Sequence, residues 1–156
     1  MGEDLELKKA NEKIVTRWMK SQDYTSVLEI ENNKKYPWLL EDFELALKNS
    51  KSKMVCKVLE IDKQIIGFFV MKLDKKFIQL VNFIVHPSFR LKGHGHKMME
   101  EIKFRLKDSR KIIIAHVLSE DLDMQLFLQK MGFKAVETIP ATAENEECYE
   151  MKFESS

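Results

Sequence analysis

The chain has 156 residues, 44% of them hydrophobic, and its 26 Lys and Arg nearly balance 25 Asp and Glu for a formal net charge of +1. That length is one domain's worth of chain with enough apolar content to bury a core. The balanced charge says little about partners, and nothing in it suggests a general nucleic-acid or membrane binder. Cys56 and Cys148 are far apart and lack metal-ligand spacing, so reduced thiols, no metal and a cytoplasmic address are expected. The N-terminus is charged rather than apolar, and no run approaches membrane-spanning length.

In chain order, residues 1–13 are a highly charged lead-in, and 14–153 read as a single domain without internal repeats. Residues 14–20 (IVTRWMK) have the β-branched and aromatic content of a first strand. Ser21-Gln22-Asp23 offers a cap, and Tyr24, Val27, Leu28 and Ile30 then recur at helical spacing to about Asn33. Pro37 disfavours a helical Tyr36 and breaks that helix. A second short helix spans 40–48, followed by a turn at 49–52. Apolar runs at 54–61, 64–73 and 77–85, joined by tight charged turns, predict an antiparallel meander.

After it come a helix over 93–107 with Met98, Met99, Ile102 and Leu106 on one face, and a short strand at 112–117. That strand's nearly continuous apolar run predicts burial on both faces. A helix over 121–131 is stopped by Gly132. A closing strand pair, 133–138 and 148–153, flanks an acidic loop at 141–147. The order β-α-α-β-β-β-α-β-α-β-β predicts an α+β domain with a mixed, mostly antiparallel central sheet flanked by helices.

The motif that organises the rest lies at the handover from the third meander strand to the helix that follows: Arg90-Leu91-Lys92-Gly93-His94-Gly95. Glycines there let backbone N–H groups crowd one ligand, and the first turn of the new helix adds free N–H groups and partial positive charge. Arg90, Lys92 and Lys97 supply whole charges. The segment reads as a pyrophosphate cradle. Spacing excludes the nucleoside-triphosphate loop, and Met98 stands where a dinucleotide fingerprint needs its third glycine.

This R-x-x-G-x-G loop, with its strand before and helix after, resembles the acetyl-CoA pyrophosphate loop of the GCN5-related N-acetyltransferase superfamily. The element order resembles that superfamily over almost the whole chain, as does Gly132-Phe133 after the last helix. Tyr36-Pro37-Trp38, with Glu41-Asp42-Phe43 and the segment NFIVHPSFRLKGHG, is similar to the members acting on ribosomal-protein alanine.

The resemblance implies an acetyl-CoA-dependent N-acetyltransferase, with direct attack of a primary amine on the thioester. A protein N-terminus is the implied acceptor, and the protein would act as a monomer or dimer. The backbone of Phe83, Ile84 and Val85 would then hold the pantetheine arm, and Arg90, Leu91, Lys92, Gly93, His94, Gly95 and His96 the pyrophosphate. Asp121 would cap the last helix beside the arm, and Tyr36, Pro37 and Trp38 would meet the acceptor.

His116 stands where the alanine-acetylating members carry a glutamate base. With an ordinary pKa of ~6.5 an imidazole suits that role. At the position of the family's acid tyrosine this chain has Leu128, which cannot donate a proton, and Tyr149 is the substitute considered. His86 and Asn82 are read as structural. Rival readings are acetylation of a small amine or a lysine, and a CoA-binding module without transfer.

Overall fold

Asp62 and Lys63 both adopt left-handed backbone (φ 49° and 71°), the conformation a two-residue hairpin turn requires to match strand twist. They join β2 (Met54–Ile61) to β3 (Gln64–Leu73), which returns through Asp74 into β4 (Phe77–Val85). The computed structural model describes residues 13–48 and 53–156; the charged lead-in up to residue 12 and the turn expected at 49–52 lie outside the described residues. Before the meander come β1 (Ile14–Trp18), a 3₁₀ turn (Ser21–Asp23), α1 (Tyr24–Glu31) and α2 (Leu40–Lys48). After it come a 3₁₀ turn (Pro87–Phe89), α3 (His94–Lys103), β5 (Ile112–Leu118), α4 (Leu122–Lys130), β6 (Lys134–Ile139) and β7 (Cys148–Glu154). The element order is the one read from the sequence. The third helix is shorter than expected, because the chain tightens into a turn after Phe104 and Lys107 bridges Arg110 instead.

The strands form one seven-stranded sheet in the order β1-β2-β3-β4-β5-β7-β6. Only β4 and β5 run parallel, and α3 is the crossover between them. Each face carries its own core. On one side Val27 and Ile30 of α1 and Phe43 and Ala46 of α2 pack on Cys56, Val58, Phe68, Val70 and Ile84. On the other, Met98, Met99 and Ile102 of α3 and Leu128 of α4 pack on Phe69, Met71, Ile78, Ile113, Ala115 and Val117. At roughly 1.5–3 kcal/mol per fully buried large apolar side chain, these two layers dominate the favourable side of folding.

β1 is locked to the start of α1 by a bidentate pair, Arg17 Nη1 and Nη2 each 2.8 Å from an Asp23 carboxylate oxygen. Arg17 Nε also donates to Glu60 of β2. The guanidinium holds the Asp23 carboxyl below the usual carboxylate range.

The expectation that β5 is buried on both faces fails. Ile113, Ala115 and Val117 are buried, but Ile112, Ile114 and Leu118 are only half-covered and His116 is exposed. The reason is where the first two helices lie: α1 packs on β3 and β4, and α2 on β2. Their side of β5 is left open.

Candidate functional site

Pairing between β4 and β5 runs from Phe77↔Ile112 to Leu80↔Ala115 and stops, although β4 continues to Val85 and β5 to Leu118. The cause is local. β4 slips register against β3 between Leu80 and Asn82, so Val81 is an extra residue, and such a bulge bends its strand. The two strand ends diverge into a gap. His86 N–H donates to Ile66 O at 2.7 Å, and Ile84 O points at Gly67, so the peptide groups of Ile84 belong to β3. By alternation those of Phe83 and Val85 face the gap. Of the three residues expected to offer backbone there, Phe83 and Val85 do, and Ile84 does not. Val85 O is covered by Arg90 Nε at 3.0 Å, which leaves Phe83 N–H and C=O and Val85 N–H facing the gap.

One mouth of the gap leads to the glycine loop. Leu91 (φ 62°) and Gly93 (φ 84°) both adopt left-handed backbone, and Leu91 is fully exposed. A Cβ on Gly93 would meet no atom within 4 Å, so it is the conformation and not crowding that calls for glycine. Gly95 is the opposite case. A Cβ there would lie 3.1 Å from the Phe127 ring of α4, which itself stacks on Phe83 with centroids 5.3 Å apart. Gly95 lets α3 close against α4 and β4. The first helical bond of α3 is Lys97 N–H to Gly93 O, so the N–H groups of His94, Gly95 and His96 precede it and converge at the loop. Lys92 reaches back over the Phe89 ring, and the exposed His96 lies 3.7 Å from Glu100. His86 Nδ1 accepts from Ser88 N–H, the structural part expected of it.

The other mouth lies on the uncovered face of β5 and is rimmed by the α1–α2 loop. Lys35 Nζ reaches Glu120 after β5 at 2.8 Å, and Tyr36 Oη donates to Glu146 of the β6–β7 loop at 2.9 Å. The acidic loop and the Tyr36-Pro37-Trp38 segment, 110 residues apart in the chain, therefore meet. Trp38 is half-buried: its ring packs edge-on against Phe43 at 5.0 Å and its backbone N–H donates to Glu31 Oε2. Trp38 anchors the loop, and Tyr36 faces the rim. Beneath them Glu31, fully buried, accepts from Asn82 Nδ2 at 3.0 Å, and Lys34 Nζ donates to Asn82 Oδ1 while lying 3.0 Å from Glu31 Oε1. Asn82 is the satisfied buried amide expected; Lys34 is a residue that no spacing pattern had singled out.

His116 projects from the open face of β5, its Nε2 3.1 Å from Glu150 on β7. Tyr149 pairs with Val117 and joins the core layer on the α4 side, so it and His116 point to opposite faces of the sheet. Asp121 caps α4 by accepting from Met124 N–H at 3.1 Å. Leu128 is fully buried in the core, and Phe127, which does face the loop, has no proton to give. Among the described residues no group of His, Cys, Asp and Glu is placed to hold a metal.

A strand gap with backbone groups facing inward, open to an anion cradle at one end and a titratable side chain at the other, suits a long phosphorylated thioester. The family model of the Acetyltransferase (GNAT) family matches residues 15–133. The chain belongs to the GNAT acetyltransferases.

Solved structures agree in fold. The ribosomal-protein-S18-alanine N-acetyltransferase from Escherichia coli superposes with a TM-score of 0.73 at 16% identity, covering 91% of this chain and 94% of that one. Ard1 from Thermoplasma volcanium gives 0.78 at 16% identity, over 92% and 98% of the two chains. A GNAT family acetyltransferase from Elizabethkingia anophelis with acetyl-CoA bound gives 0.67 at 16%, over 91% and 98%. No curated protein sequence matches the chain. Acetyl-CoA is the family's cosubstrate, and this GNAT chain has the gap and the cradle to receive it. No described helix is long and apolar enough to cross a membrane.

Proposed function

We propose that the protein transfers the acetyl group of acetyl-CoA to a primary amine, with a protein or peptide N-terminus as acceptor. The observation that carries this reading is the β4–β5 gap joining the glycine cradle to the rim built by Tyr36 and Glu146. The cradle N–H groups and Arg90, Lys92 and Lys97 would neutralise the pyrophosphate, and Phe83 and Val85 would align the arm as an added strand. An N–H turned into the gap would polarise the thioester carbonyl as charge develops on its oxygen. His116, on the acceptor side, would take the ammonium proton. An acceptor entering under the rim passes Glu146 and Glu150, and both carboxylates favour a cationic terminus.

The test is incubation with acetyl-CoA and peptides beginning with alanine or serine, against a polyamine, an aminoglycoside and a peptide whose only amine is a lysine side chain. Release of CoA thiol with a mass gain of one acetyl on the peptide N-terminus is the expected result. Faster transfer to the small amines or to lysine would overturn the acceptor, and no transfer to any amine would overturn the activity. Leu128 in the core and Phe127 at the loop favour a second reading, a CoA-binding module without transfer. Calorimetric binding of acetyl-CoA with every acceptor unmodified would establish it.

A further inference from the structure

A departing CoA thiolate needs a proton, and α4 presents none, since Leu128 is core and Phe127 is a hydrocarbon ring. Tyr149 lies on the face of the sheet opposite to His116. The α1–α2 loop, in contrast, carries an amine to the gap. Lys34 Nζ donates to Asn82 Oδ1, and Asn82 stands on the segment of β4 that runs on beyond its last pair with β5, next to Phe83. The next residue, Lys35, ties to Glu120 beyond the end of β5, so the loop spans the mouth from one strand to the other.

We propose that Lys34 is the proton donor to the leaving sulfur, its ammonium held over the β4–β5 gap by Asn82 and Glu31. The proposal rests on the acetyltransferase reading above. An ammonium has three N–H donors. Asn82 Oδ1 takes one, and Glu31 Oε1 lies 3.0 Å away as an ion-pair partner without a hydrogen bond, so donors remain for the substrate. Burial holds the Lys34 pKa below the ordinary lysine value, which brings it toward that of a thiol and makes proton transfer between them more nearly balanced. Glu31 and, more weakly, Asp121 pull the other way and favour the charged amine. The charged groups facing Lys34 are thus Glu31 from α1 and Asp121 from the cap of α4, with the neutral amide of Asn82 from β4.

In the step itself the acceptor nitrogen bonds to the acyl carbon, and the C–S bond breaks with its electron pair on sulfur. Lys34 Nζ passes a proton to that sulfur, giving the free thiol. The proton shed by the acylated nitrogen leaves through His116 or water, and Lys34 regains its own from solvent.

Lys34→Met and Lys34→Arg, assayed with acetyl-CoA and the best peptide acceptor, test the role. Both are expected to lose roughly 10²-fold or more in kcat with little change in KM for acetyl-CoA, because arginine keeps the charge but cannot give up a proton near neutral pH. Wild-type kcat should also fall on an alkaline limb below the ordinary lysine pKa of ~10.4, and any residual activity of the methionine variant should lack that limb. Full activity in the arginine variant would overturn the proposal, since charge alone would then suffice. So would a wild-type profile without the alkaline limb, which needs no variant to fold, or acetylation of Lys34 itself seen by mass spectrometry. If wild-type protein binds no acetyl-CoA, as read by an unchanged melting temperature at saturation, the acetyltransferase reading falls first and this proposal with it.

Discussion

His116 engages Glu150 through Nε2, so in the proposed mechanism Nδ1 would be the ring nitrogen for an acceptor. His116→Ala is expected to lower kcat about 10²-fold while leaving KM for acetyl-CoA unchanged, measured by steady-state thiol release. An equal fall in acetyl-CoA affinity would instead mean that the imidazole holds the donor. Cys56 behaves differently from both histidine and lysine. Its thiol is buried between α1, α2 and the sheet, and burial raises its pKa to about 11. A thiol-specific disulfide reagent at pH 8 should therefore leave Cys56 untouched in the folded protein and label it on unfolding.

At the scale of elements, the two glycines of the cradle should fail in different ways. Gly93→Ala places a Cβ-bearing residue at φ 84° and should cost about 1 kcal/mol of stability, read from the denaturant midpoint. Gly95→Ala drives a methyl to 3.1 Å from Phe127, and the overpacking should cost roughly 1–3 kcal/mol while prising α3 from α4 and weakening acetyl-CoA binding.

The sequence made the loop legible because strand, glycines and helix are contiguous, and local spacing reports local geometry. It read both glycines as alike, for the phosphate's sake, because Phe127 lies 32 positions downstream of Gly95 and only the packed helices bring them together. The boundary errors have a similar origin. The 93–107 pattern stays amphipathic to Leu106, whose side chain does reach the core, but the backbone has already turned. The apolar run of β5 read as doubly buried because periodicity cannot say which helix covers which strand.

At the scale of the whole molecule, the rim proposed to receive the acceptor was the least legible part. Glu31 and Asn82 are 51 positions apart, Lys34 and Asn82 48, and Tyr36 and Glu146 110, so no window of sequence contains these pairs. The element order and sheet were read correctly because hydrophobic period and turn chemistry agree along the chain.

Global stability has its own long-range tie in Arg17, Asp23 and Glu60. Asp23 titrates below its unfolded value of ~3.9, so the stabilisation it gives is fully present above that pH and is lost as pH falls through the lower folded value. Asp23→Asn should cost about 2 kcal/mol at neutral pH, less than the full cost of breaking a buried pair because the Arg17 side chain stays 28% exposed. Urea midpoints of the two proteins should begin to converge only as pH falls below ~3.9.

The loop from α1 to α2 is fastened at three points of unequal strength. At its inner fastening Glu31 and Asn82 are buried and the Lys34 side chain is 32% exposed, whereas Lys35–Glu120 has both side chains more than half exposed and Tyr36–Glu146 is likewise at the surface. Salt weakens the exposed ion pair and spares the buried cluster. The loop is thus held more firmly at its inner end, by Trp38 and Glu31, than at its outer end. Ionic strength should set how often its outer end loosens: hydrogen exchange at residues 35 and 36 should quicken as salt rises, while exchange at residue 34 and in α1 stays constant.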